Sequence, residues 1–67
     1  MENKFNNYRT TVLSLNFGGM SDRQKDWLVD WVKQNFTTPR EIEKAAEIAW
    51  QYDVPDETVA RIRALST

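Results

Sequence analysis

Two pairs of carboxylates, Asp26 with Asp30 and Glu43 with Glu47, stand four residues apart, a spacing that places both members of a pair on one face of a helix. Such a pair could ligate a divalent ion. Lys25, Lys33 and Lys44 alternate with these acids, however, and that is the pattern of a solvated, salt-laced helix surface. The chain has no His and no Cys, so it has no disulfides, and a zinc site is excluded. No Gly-rich phosphate loop and no G-x-S-x-G elbow occurs. A chain of 67 residues also rarely builds a cleft that buries a small-molecule substrate. A non-enzymatic protein with no metal and no cofactor is the expectation.

Binding is the chemistry that remains. Sixty-seven residues make one domain, near the lower limit of what a single core stabilises without staples. The eight aromatic residues, three of them Trp, must carry much of that core, each large ring burying roughly 150–250 Å². No run of 18 apolar residues exists, and the opening MENKFNNYR lacks the basic start and apolar centre of a signal peptide. No membrane contact is therefore expected. The absence of Cys fits a reducing compartment, and a cytoplasmic location is the expectation.

The elements that must position these residues are marked by their starts. Ser21-Asp22-Arg23-Gln24 and Thr38-Pro39-Arg40-Glu41 both fit the capping box, in which a hydroxyl takes an orphan amide and the Gln or Glu three residues on reaches back. Pro39 falls at the first helical position, where a missing N–H costs nothing. Helices are expected at about 22–36 and 39–52, and a third from 55 or 56 to 65 with Asp56 and Glu57 at the positive end of its dipole. Unrolled at 100° per residue, the first buries Leu28, Trp31, Val32 and Phe36 and the second Ile42, Ala45, Ala46, Ala49 and Tyr52. Val59, Ile62 and Leu65 give the third a narrow stripe. Trp27 and Trp50 fall at the edges of their apolar arcs, where a partly exposed indole offers a rigid contact.

The first twenty residues admit two readings. In Tyr8 to Phe17, Thr11, Leu13, Leu15 and Phe17 alternate as on a strand. Phe5, Tyr8, Val12 and Leu15 also follow a helical period, and Gly18-Gly19 suits a helix C-cap. A strand over 8–17 would have unpaired edges and implies a homodimer, whereas a helix closes a compact four-helix monomer. The fold class expected is all-α: a three-helix core over 21–67 whose C-terminal half is helix-turn-helix-like, preceded by an arm over 1–20 that is a fourth helix or an extended strand.

Residues 45–62, AAEIAWQYDVPDETVARI, carry the helix-turn-helix pattern. Ile48, Ala49, Tyr52, Val54, Val59 and Ile62 are apolar where two helices must cross, with the small Ala49 at the crossing and a turn around Asp53 and Val54. The segment resembles the helix-turn-helix of the lac-repressor type of DNA-binding domain, with Thr58, Val59, Arg61 and Ile62 standing where that family carries a Thr-Val-x-Arg-Val run. Two positions depart from the family: Asp53 occupies the turn position usually held by Gly, and the would-be recognition helix opens on Pro55-Asp56-Glu57. The resemblance is thus better for the scaffold than for the DNA contact. On the strand reading, residues 8–52 loosely resemble the ribbon-helix-helix DNA-binding dimers, with Arg9, Thr11 and Leu13 facing the groove and the segment from Thr38 to Ile42 near the phosphates.

Charge separates the two functional expectations. Net charge is −1, from 9 basic and 10 acidic residues, and residues 38–67 hold four basic against six acidic side chains. The half that resembles a DNA-binding motif is the more acidic half, and an acidic surface is repelled by phosphate. The first expectation is a small regulatory protein that docks on a larger protein with a basic surface. Its contacts would be Trp27, Trp50, Asp26, Asp30, Glu43 and Glu47, and it could serve as an inhibitor of a nucleic-acid-handling protein. The alternative, which follows the resemblance, is a DNA-binding regulator in which Thr58, Arg61 and Arg63 face the groove or phosphates and Arg40 and Lys44 clamp the backbone.

Overall fold

A computed structural model describes residues 4–66 as four helices: α1 (Lys4–Asn16), α2 (Asp22–Asn35), α3 (Pro39–Gln51) and α4 (Asp56–Ala64). The helix starts at Asp22 and Pro39 match the capping signals. Ser21 Oγ accepts from the Gln24 amide at 3.2 Å while Gln24 Oε1 accepts from the Ser21 amide at 2.8 Å. Thr38 and Glu41 close the same pair of bonds at the start of α3. No helix among the described residues is long and apolar enough to cross a membrane.

Residues 8–17 resolve in favour of helix. All but Phe17 lie in α1, and no strand occurs among the described residues. The strand reading therefore falls, and with it the ribbon that the ribbon-helix-helix likeness required and the homodimer inferred from strand pairing. The physical reason is the inner seam: Tyr8 and Val12 are fully buried, and Phe5 and Leu15 pack against the same core. The Thr10 and Thr11 hydroxyls donate back to the Asn6 and Asn7 carbonyls at 3.1 and 2.9 Å, so these β-branched residues are accommodated within the helix. Gly18 and Gly19 then leave α1 with φ of 82° and 99°, the left-handed conformations that glycine adopts without a Cβ clash.

One core cluster combines aromatic rings from α1 and α2 with small residues from α3. Phe36 meets Phe5 face to face at 4.9 Å between ring centroids and Tyr8 edge to face at 5.6 Å, geometries that favour aromatic pairs. Tyr8 also donates its phenol to the Ala45 carbonyl at 2.8 Å, tying α1 to α3. Along α3, Ala45, Ala46 and Ala49 are fully buried, and α3 packs more extensively on α4 than on any other helix. Trp31, expected inside, is only partly buried against this core. Leu65 lies one residue past α4 and is likewise partly buried.

The connection between α3 and α4 runs through Tyr52, Asp53, Val54 and Pro55. Asp53 adopts φ 64°, and the Val54 amide donates to the Ala49 carbonyl at 3.0 Å, which closes the end of α3. Asp is one of the few residue types with a side chain that visits this left-handed region readily. It therefore takes up a conformation that glycine adopts most readily. Asn16 Nδ2 reaches the Tyr52 carbonyl at 2.6 Å, so the C-terminal end of α1 braces this turn.

Candidate docking surface

Trp50 sits on the last turn of α3 because its neighbour Ala49 takes the buried position at the α3–α4 crossing. The next residue of a helix is turned by about 100°, which carries the indole out of the core. It is 62 % exposed. Beside it Asp53, Val54, Pro55 and Asp56 line a shallow concavity, so the ring is flanked by the turn and by the acidic start of α4. An indole face with carboxylates next to it suits a cationic side chain, which can lie over the ring and pair with an acid at once.

Trp27, on α2, is 51 % exposed and stands between the core residue Leu28 and the exposed Asp26. The concavity beside Trp50 does not include it. Asp26 is held by Arg61 of α4 at 2.8 Å, and Asp30 accepts from Gln34 one turn further along α2 at 2.8 Å. Glu43 and Glu47 lie elsewhere. They line a second concavity together with Arg9, Arg40, Lys44 and Arg63, and Arg63 Nε approaches Glu43 at 3.5 Å. The four acids grouped by sequence as one docking face are therefore split between an α2–α4 surface and a cation-rich groove, because the two helices that bear them present their wet sides in different directions.

The residues expected to contact DNA are divided as well. Thr58 is fully buried, so it cannot face a groove; its hydroxyl has no hydrogen-bond partner among the described residues. The narrow stripe expected on α4 was thus too narrow, since Thr58 joins Val59 and Ile62 inside. Arg61 is engaged by Asp26 and Arg63 by Glu43. Arg40 and Lys44 remain on the exposed side of α3, where Lys44 Nζ stands 5.1 Å from the centre of the Phe5 ring.

Between α2 and α4, Lys25 bridges Glu57 at 2.8 Å and Asp22 at 3.8 Å. The bond from Lys25, reinforced by its charge, holds the Glu57 carboxyl below its ordinary range, and the same bond raises Lys25. These two positions therefore remain charged partners. Glu57, acidic where a recognition helix would meet phosphate, has its charge committed to α2.

Asp53, Pro55 and Asp56, with the buried Val54 beneath them, line the concavity beside Trp50, and sequence reasoning did not group them with it. Their signal was present in the turn: a left-handed Asp and a Pro directly after a rim Trp place two carboxylates and two apolar side chains around one indole. Over the described residues the protein is a four-helix, all-α domain whose exposed large apolar side chains are Leu13, Phe17, Trp27 and Trp50. No family model, curated protein or solved structure matches the chain.

Proposed function

We propose that this protein is a small non-enzymatic binding protein that docks on the basic surface of a larger protein, with Trp50 as its anchor and Asp53 and Asp56 as its steering charges. The observation that carries this reading is the exposed Trp50 indole beside Val54, Pro55 and the two carboxylates. Trp is among the residues most enriched at binding hot spots, and complementary charge around such an anchor raises the association rate and selects the partner. Trp27 offers a second exposed indole, although the Asp26 carboxylate beside it is engaged by Arg61. An inhibitor of a nucleic-acid-handling protein is one form of this function, because the basic surface that such a protein offers to phosphate is what these acids would cover.

The test is affinity capture from a cell extract by immobilised protein, with Trp50→Ala and the double variant Asp53→Asn/Asp56→Asn run alongside. Asn also tolerates the left-handed conformation at position 53, so the turn is preserved. A protein held by the wild type, released as ionic strength rises and lost with both variants, supports the reading. Equal capture by wild type and Trp50→Ala overturns it.

A second reading rests on the groove between α1, α3 and α4, where Arg9, Arg40, Lys44 and Arg63 outnumber Glu43 and Glu47. A DNA backbone would bind there rather than along the start of α4. Binding to random-sequence duplex DNA across a salt series would then show a slope of several charges, diminished by Arg40→Ala and unaffected by Trp50→Ala. No binding at low salt would end this second reading.

A further inference from the structure

We infer that this chain associates with a second copy of itself through the outward face of α1, in a two-fold contact centred on Leu13 and Phe17. The inner face of α1 is occupied by Tyr8 and Val12. On the outside, Asn6, Thr10, Leu13 and Phe17 follow at intervals of four, three and four residues, the spacing of a helix-pairing seam. All four are exposed, Leu13 by 59 % and Phe17 by 89 %. A helical period puts them within about 60° of arc.

The apolar pair is held in place rather than left at a fraying end. Asn16, between the two, donates its side-chain amide to the Tyr52 carbonyl at 2.6 Å. Directly beyond Phe17 the chain turns through two glycines with positive φ, and the Gly19 amide donates to the Asn16 carbonyl at 3.2 Å. The ring is thus presented outward at the end of a braced helix.

Charge identifies the occupant. Residues 10–21 contain no Asp, Glu, Lys or Arg, in a chain of which 28 % is charged. A two-fold contact sets each patch against its own copy, so a charge near the axis meets its own image or loses its water. The stripe from Thr10 to Phe17 escapes both costs, and the nearest charge along α1, Arg9, lies at its N-terminal end, where its guanidinium donates to Asn6 at 3.1 Å. The basic partner proposed for Trp50 does not suit it, because the stripe has no carboxylate to meet that partner's cations. Across an axis between them, Leu13 of each copy packs on Phe17 of the other. Two apolar side chains per copy fall short of the ~800 Å² per partner of a standard stable interface, so the dimer is weak and reversible.

Sedimentation equilibrium from micromolar to millimolar protein tests this. The wild type is expected to rise from the 7.9 kDa monomer mass toward twice that value. Leu13→Asp and Phe17→Asp should stay at the monomer mass with helicity retained, since both side chains are exposed, while Trp50→Ala follows the wild type. Ser14→Cys, on the exposed flank of α1, should oxidise to a disulfide dimer faster than Lys33→Cys on the exposed side of α2. A wild type that remains monomeric at millimolar concentration, a Phe17→Asp variant that associates equally well, or equal oxidation of the two Cys variants overturns the proposal.

Discussion

Asp26 on α2 and Arg61 on α4 meet at 2.8 Å, a carboxylate expected to greet a basic protein partner joined to a guanidinium expected to greet DNA. Each satisfies the other within the chain, so neither is presented alone. The bond also fastens the end of the helix-turn-helix-like pair to α2, beside the Lys25–Glu57 contact.

Because both side chains are about half or more exposed, this pair is expected to contribute little to stability. Asp26→Ala and Arg61→Ala should each lower unfolding free energy by less than about 1 kcal/mol, with a coupling of roughly 0.5 kcal/mol in a double-mutant cycle. Urea unfolding of the two single variants and the double variant measures it.

Ala49 is fully buried where α3 crosses α4, and its carbonyl receives the Val54 amide. A larger side chain there must push the helices apart. Ala49→Leu is expected to destabilise by roughly 1–3 kcal/mol, read as a lowered urea midpoint with an unchanged m-value.

Thr58 makes the opposite prediction. Its buried hydroxyl has lost water without gaining a partner among the described residues. Thr58→Val removes that penalty at nearly constant shape, so the variant should be more stable by about 1 kcal/mol, seen as a higher thermal midpoint. A lower midpoint would show that the hydroxyl is satisfied by water.

Two of the shifted groups, Tyr8 and Glu41, bear on opposite ends of the pH range over which the fold is stable. Burial raises the Tyr8 phenol above its ordinary value of 10.0, so above that pH the unfolded chain releases a proton that the folded chain keeps. Stability should fall as pH rises past about 10, and less so in Tyr8→Phe. Glu41 behaves conversely: bonds from the Thr38 and Thr37 amides hold its carboxyl below the ordinary 4.5. Its contribution is present above that value and lost as pH falls through the lowered one. Glu41→Gln keeps the capping geometry that Gln24 already supplies to α2, and should flatten the acid limb of a thermal-midpoint profile as pH falls below 4.5.

Much of the fold is legible in the amino-acid sequence. The two capping boxes, Pro39 and the apolar periods placed α2 and α3 within a residue of their observed ends, because these are local signals: a side chain three residues away bonds the amide that starts the helix. Spacing alone marks Ile48, Ala49, Tyr52, Val54, Val59 and Ile62 as packing residues; all are buried except Tyr52, which lies past the end of α3 and is only partly buried. The same composition excluded thiolate and imidazole chemistry outright.

What tertiary structure decided was everything that depends on what lies opposite. Residues 8–17 fit two periods equally well, and the core that receives Tyr8 and Val12, with Trp31 tilted against Tyr8 and Phe36 edge to face with it, chooses the helix. That choice sends Leu15 inward and leaves Leu13 and Phe17 outside, where a strand would have kept all three together. Thr58 is buried, and Glu43 lies among cations rather than beside Asp26, for the same reason. A periodic pattern states which side of a helix is apolar, but the direction in which its polar side faces is set by how the helices cross.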